Sequence, residues 1–192
     1  MEQIRRCEWA GPDHIYIDYH DNEWGRPLHD DNKLFEMLIL EGMQAGLAWI
    51  TVLKKRNAFR AAFDDFDPQK VALYDDAKVE ALMADAGIIR HRGKINAAIG
   101  NARAFLEIQK EYGSFDKFIW AYVGGTPIIN TPRSMAELPV STPLSEQISK
   151  DLKKRGFKFV GSTIVYSFMQ AVGMVDDHMA WCPWHTNNRG ER

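Results

Sequence analysis

Apolar residues along this chain recur at three- and four-residue intervals far more often than in alternation, so the sequence reads as a series of helices. The run "LFEMLIL" is the clearest case. On a helical wheel Leu34, Met37, Leu38 and Glu41 share one narrow arc, so a helix capped by Asp30 or Asp31 and running through Leu40 carries a core-facing stripe that ends on a carboxylate. "GLAWITVLKKRNAFRAAF" reads as a second helix, with Leu47, Ile50, Thr51, Lys54 and Ala58 on one face. Asp67-Pro68 opens a short helix, Asp75 caps another lasting to Gly87, and "HRGKINAAIGNARAFLEIQKEYG" is a long helix ending at Gly113. Phe115 to Val123 is a further short helix.

Residues 124–143 hold Gly124, Gly125, Pro127, Pro132, Pro139 and Pro143 and form the one long irregular connector. Within it "TPIIN" is too short and too proline-flanked to count as a strand. Thr142 caps the next helix with Pro143 in its first position, Gly156 stops it, and a last helix runs from Gly161 to Gly173. The expected fold class is all-α.

The turn "RGFKFVG" joins those last two helices. The amides of Gly161, Ser162 and Thr163 open the second helix at the positive end of its dipole, beside a basic run of Lys150, Lys153, Lys154, Arg155 and Lys158. Such a turn can hold a phosphate of a nucleic-acid backbone. A plain helical hairpin plugged by Phe157 and Val160 fits the same residues.

With 192 residues, 45% hydrophobic and 26% charged, the chain can bury a substantial core as one domain or two small lobes. No apolar run reaches membrane-spanning length, and "MEQIRRCEWAGPD" shows no signal region, so a cytoplasmic location is expected. The net charge of −2 excludes a global attraction to polyanions, leaving local clusters to make any nucleic-acid contact. Besides the run already named these are Lys54-Lys55-Arg56 and Arg90-His91-Arg92 with Lys94, and each taken alone reads better as a solvated helix face.

Two groups carry chemistry. The only cysteines, Cys7 and Cys182, each have a histidine at a suggestive distance: His20 for the first, and His178 in "DHMAWC" for the second. A His-x3-Cys spacing sets both side chains on one helix face, so the four could form a closed, structural Cys2His2 zinc site. A disulfide, disfavoured in a cytosolic chain, or two unrelated buried thiols are the other readings. The second group is Glu41, a carboxylate on an apolar stripe, which is either functional or a core glutamate paired with Lys or Arg.

The blocks "YIDYHDNEWG", "EGMQAGLAWITVLKKR", "DAGIIRHRGKI", "LKKRGFKFVGSTIVYSFMQA" and "DDHMAWC", in this order between about Cys7 and Cys182, resemble those of the bacterial DNA-3-methyladenine glycosylase I family. The resemblance implies a helix-hairpin-helix glycosylase fold of two helical lobes. The chain, 1–192, would be one unit, with a helix-hairpin-helix lobe over about 31–173 and terminal segments, about 1–30 and 174–192, tied by one structural zinc. It assigns the zinc to Cys7, His20, His178 and Cys182, and a base pocket to Trp9, Tyr19, Trp24, Glu41 and Trp49. It places a duplex-probing turn at Gly46 and Leu47 and a backbone-contacting hairpin at Lys158, Gly161, Ser162 and Thr163.

The implied activity is hydrolytic excision of 3-methyladenine from double-stranded DNA, by a monomer with no membrane partner. Aromatic faces would stack the flipped base, Leu47 would fill the vacated gap, and Glu41 would accept from the exocyclic amine of a cationic base. Thr163 stands where bifunctional members carry a lysine nucleophile, so no Schiff base is expected and the product is an abasic site. Asp176 and Asp177 come too soon after Gly161 to take the superfamily's catalytic aspartate, and Asp177 is read as orienting a zinc-bound histidine. Two other functional readings stand beside this one. One is a zinc-stapled module that binds damaged DNA without cutting it; the other is a zinc hydrolase in which water replaces one ligand.

Overall fold

The protein, seen in a computed structural model, is described over residues 4–191, with side chains to Gly190. The first three residues of the stretch read for a signal region, and Arg192, lie outside the described residues. Nine α-helices are present among the described residues: α1 (His14–Asn22), α2 (Asp31–Gln44), α3 (Trp49–Ala62), α4 (Pro68–Val71), α5 (Asp76–Ala84), α6 (Arg92–Tyr112), α7 (Phe115–Trp120), α8 (Pro143–Lys154) and α9 (Ser162–Ala171).

The central element is α2. Every residue from Leu34 to Met43 is buried, because α3, α6, α7 and α9 pack around it. It runs a turn beyond the expected end at Leu40, so Glu41 lies inside the helix. Of the two candidate caps Asp30 does the work, accepting from the Lys33 amide at 2.9 Å. Asp31 instead reaches across to the Phe115 and Asp116 amides at 2.9 and 2.8 Å and so caps α7.

Four sequence expectations shift. The helix α3 begins at Trp49 rather than near Gly46, since Gly46 takes φ +79° and residues 45–48 form a turn. Leu47 therefore stands on an exposed turn and not on a helix face. Helix α5 ends at Ala84, where Gly87 was expected to end it. Helix α1, whose only clear sequence mark is the Asp13 cap on the Ile15 amide, was not anticipated, because its apolar residues form no clean stripe.

The fourth shift concerns "TPIIN". Ile128–Ile129 (β1) pairs in parallel with Val175–Asp176 (β2), with Ile128 N on Met174 O at 2.9 Å and Asn130 N on Asp176 O at 3.1 Å. Its partner lies far along the chain, so no local signal could reveal the pairing. The effect is to strap the connector to the segment after α9.

The N-terminal segment is strapped to the same place: Gly25 N donates to Gln170 O and Leu28 N to Val172 O, both at 3.0 Å. Gly173, at φ +73°, fits against this strap so closely that an added Cβ would overlap the Arg26 carbonyl and the Pro27 nitrogen. Gly173→Ala is therefore expected to destabilise the protein by roughly 3 kcal/mol or more, combining left-handed strain with overpacking against backbone. A thermal melt indistinguishable from that of the unaltered protein would contradict this close fit.

Candidate functional site

A cavity of ≈ 210 Å³ opens where α1, the end of α2, the start of α3 and α9 meet. For comparison, a cavity of about 150 Å³ suffices to hold benzene, so this one suits a bicyclic base. Trp9, Tyr19, Trp24, Glu41 and Trp49, the expected pocket set, all line it. Tyr16, Gln44, Met135, Leu138, Ser167 and Gln170 line it as well and were not anticipated. Thr163, Ser167 and Gln170 do recur at i, i+4 and i+7 on the otherwise apolar α9, which is a helical-face signal that could have found the last two.

The aromatic residues form a continuous wall. Tyr19 and Trp49 lie 5.6 Å apart between ring centroids, Trp9 and Trp24 4.8 Å, and Trp9 and Tyr16 5.4 Å. The indole nitrogens of Trp9 and Trp49 are buried with no acceptor among the described residues.

Glu41 is buried, 3% exposed, and among the described residues no hydrogen bond or ion pair reaches its carboxyl. Burial alone pushes that carboxyl up to about 8. The contrast lies on the same helix. Glu36, 5% exposed, is held by the Arg56 Nε at 2.5 Å and by Arg60 at 2.8 Å. A core glutamate paired with arginine thus describes Glu36, whereas Glu41 faces the cavity bare. The phenols of Tyr16 and Tyr19 are pushed up first by their own burial and then by the nearby Glu41.

Behind the aromatic wall, the segments around Cys7 and Cys182 come together, with Trp9 and Trp24 packed on the His20 and His178 rings. The ligand atoms of Cys7, His20 and Cys182 all fall within 4.8 Å of one another, with Cys182 Sγ 3.7 Å from His20 Nε2. Both thiols are free and buried, so the disulfide reading is set aside. Their mutual hydrogen bond splits the pair, holding Cys182 well below the usual thiol range and Cys7 above it. The His178 ring lies 4.9 Å from that of His20, and its Nε2 is buried with no partner among the described residues.

The outer nitrogens of both imidazoles are held by carboxylates: His20 Nδ1 by Asp21 and His178 Nδ1 by Asp176, each at 2.7 Å. Two expectations are corrected here. Residues 178–182 form turns rather than a helix, so His178 and Cys182 converge by chain reversal and not by one-turn spacing. And it is Asp176 that orients His178; Asp177 accepts from Tyr166, Asn130 and Gln170 at 2.6, 2.7 and 2.8 Å.

At the hairpin the turn residues divide by burial. Phe157 and Val160 are buried plugs, while Lys158 and Thr163 are exposed and Gly161 and Ser162 half-buried. Asn101 of α6 grips the turn through the Lys158 amide and carbonyl at 2.8 and 2.9 Å. Phe159, with φ +56° and 37% exposure, was unforeseen.

The basic clusters are largely committed inside the protein. Lys54 pairs with Asp13, Lys55 donates to the Ala86 and Gly87 carbonyls, and Arg56 binds Glu23 and Glu36. Arg92 pairs with Glu80 and Arg155 with Glu111. Among the described residues, the side chains of Arg90, Lys150, Lys153 and Lys158 are left without a partner.

A family described as methyladenine glycosylase matches residues 9–186. The chain is 55% identical over 186 residues to DNA-3-methyladenine glycosylase 1 of Escherichia coli (strain K12), covering 97% of this chain and 100% of that one. It is 50% identical to DNA-3-methyladenine glycosylase of Haemophilus influenzae (strain ATCC 51907 / DSM 11121 / KW20 / Rd), covering 95% and 98% of the two chains. Among solved structures, 3-methyladenine DNA glycosylase I from Staphylococcus aureus, whose recognition of 3-methyladenine has been described structurally, matches with a TM-score of 0.91 at 41% identity, covering 94% of this chain and 96% of that one.

Proposed function

From the premise that this chain belongs to the methyladenine glycosylase family, we propose that it flips 3-methyladenine out of alkylated DNA into the aromatic cavity and hydrolyses its bond to the sugar. It is a DNA repair enzyme, a DNA-3-methyladenine glycosylase. The observation that carries the reading is Glu41: a buried carboxyl with no partner, in a cavity walled by Trp9, Tyr19, Trp24 and Trp49. A cationic base with an exocyclic amine supplies what Glu41 lacks, a compensating charge and a donor. Guanine, with a carbonyl at that edge, would meet an acceptor.

The reaction needs little acid–base help. Methylation leaves a positive charge on the base, so the glycosidic electron pair departs with it and yields neutral 3-methyladenine. Water adds to the sugar carbon and loses a proton, leaving an abasic site. The protein contributes stacking, exclusion of bulk water, and a carboxylate beside the developing positive charge on the sugar. Thr163, exposed at the start of α9, offers no amine, so the enzyme is monofunctional.

Around this site the helix-hairpin-helix reading assigns DNA contacts. Gly46 and Leu47 probe the stack, and the amides of Gly161, Ser162 and Thr163 with Lys158 hold a phosphate. Cys7, His20, His178 and Cys182 would hold one zinc ion. Two thiols, two imidazoles with their outer nitrogens fixed by carboxylates, and the orphaned His178 Nε2 are the donor set such an ion requires. When bound, the ion would supply stability, since four protein ligands leave no open position for chemistry. A monomer in the cytoplasm completes the proposal; no helix among the described residues is long and apolar enough to cross a membrane.

Chromatography of bases released from dimethyl-sulfate-treated DNA tests this. 3-Methyladenine is expected as the main product. Release of chiefly 7-methylguanine would overturn the pocket assignment, and tight binding with no released base would favour a non-catalytic damage-binding module instead.

A further inference from the structure

Lys94 is the one member of the basic clusters whose side chain is buried, 7% exposed, and no role assigned above uses it. It stands third in α6, where His91 caps the helix by accepting from the Lys94 amide at 3.1 Å. A cation in the first turn opposes the helix dipole, and burial adds a desolvation cost that lowers its pKa. A residue that breaks two local preferences at once points to a non-local purpose.

That purpose lies at the end of α2. The Lys94 ammonium donates to the carbonyls of Met43 at 3.0 Å and Ala45 at 2.6 Å. The carbonyls on either side of Met43 are taken within the turn itself: Gly42 O by the Ala45 amide at 3.3 Å and Gln44 O by the Leu47 amide at 2.6 Å. Lys94 thus takes up two carbonyls at the helix end that the turn's own amides leave over. Among the described residues no other side chain donates to this stretch of backbone. Beyond it the chain is on its own: Gly46, Leu47 and Ala48 are exposed, and nothing lies within 4 Å of where a Gly46 Cβ would be.

We propose that Lys94 is a positioning residue for the duplex-probing turn, its ammonium fixing the angle at which Gly46 and Leu47 leave α2 and so how readily Leu47 enters the base stack. The inference rests on the reading of that turn as the element that enters DNA. Lys94 acts through backbone and touches no base. Its loss slackens the turn while leaving the aromatic wall intact, so entry into a duplex suffers and capture of a free base does not.

The test compares Lys94→Met, Leu47→Ala and the double variant in single-turnover base release from methylated duplex, with binding of free 3-methyladenine followed by tryptophan fluorescence. Lys94→Met is expected to slow release from duplex about tenfold or more, as small misplacements do, with free-base affinity held within about twofold. The double variant should be no slower than Leu47→Ala alone, since two residues acting as one unit are non-additive. Multiplicative slowing, or a free-base affinity that falls in step with the rate, overturns the proposal. If Lys94→Met does not fold, Lys94→Gln, which can still donate to one carbonyl, carries the same comparison with a smaller expected loss. Base release by the unaltered protein, measured alongside, tests the parent reading separately.

Discussion

Cys182→Ala protein is expected to lose about 4 kcal/mol or more of folding stability, and treatment of the unaltered protein with a strong chelator should reproduce most of that loss. The reason is where the four donors come from. Cys7 and His20 lie before α2, His178 and Cys182 after α9, and an ion shared between them would close a loop over nearly the whole chain. The loss should reach the pocket as well. Trp9 packs on the His20 ring at 5.2 Å and Trp24 on the His178 ring at 4.7 Å, so the imidazoles buttress two aromatic walls of the cavity. Metal analysis should find one zinc per chain, and urea unfolding before and after chelation should give the stability difference. Below its lowered melting temperature the metal-free protein should still release base, only with weaker binding. If activity instead vanished while the fold survived, the zinc-hydrolase reading would replace the structural one. Protein purified without zinc and no less stable as Cys182→Ala would remove the metal site altogether.

How far the sequence reached differs by element. Helices such as α6 and α8 were legible because their caps are local: His91 with Gly113 at the ends of one, Thr142 with Pro143 at the start of the other. Helix α1 was not, although it carries Tyr16, Tyr19 and His20, since its faces are shared between cavity and metal cluster rather than given to one core. The strand pair and the Gly25–Gln170 strap depend on partners distant in sequence, which no window of periodicity contains. Glu41 stands out as an acid on an apolar stripe, but burial does not single it out, since Glu36 on another face of the same helix is buried too, and only the positions of Arg56 and Arg60 on α3 separate the bare one from the paired one. Cys7, His20 and Cys182 do come together, with the His178 ring beside that of His20, but the geometry expected for the His178 and Cys182 pair is not the one found. Spacing suggested a helix, and the structure uses the turns after β2.

Glu41→Gln should be both the more stable and the less active protein. The carboxyl stands at about 8 in the folded chain against an ordinary 4.5, so the folded state holds a proton that the unfolded state releases across that window. Stability that depends on this proton is complete below about pH 4.5, is lost as pH rises, and is gone above about 8. Glutamine has no proton to lose. Its advantage in urea unfolding should therefore grow from about pH 6 to about pH 9, approaching roughly 5 kcal/mol at the upper end. Activity should run the other way. A carboxylate facing a cationic base at contact distance contributes a few kcal/mol even at an effective dielectric near 20, and keeping one amide acceptor recovers only part of it, so kcat/KM should fall about a hundredfold. In the unaltered enzyme kcat/KM should rise with pH through about 8 as Glu41 ionises, and in the variant that rise should be absent. Equal stability profiles would show that Glu41 is not desolvated as the cavity geometry indicates. A variant that lost base affinity yet excised at the full single-turnover rate would confine Glu41 to recognition, leaving the departure of the base to its own positive charge and to the dry, aromatic walls around it.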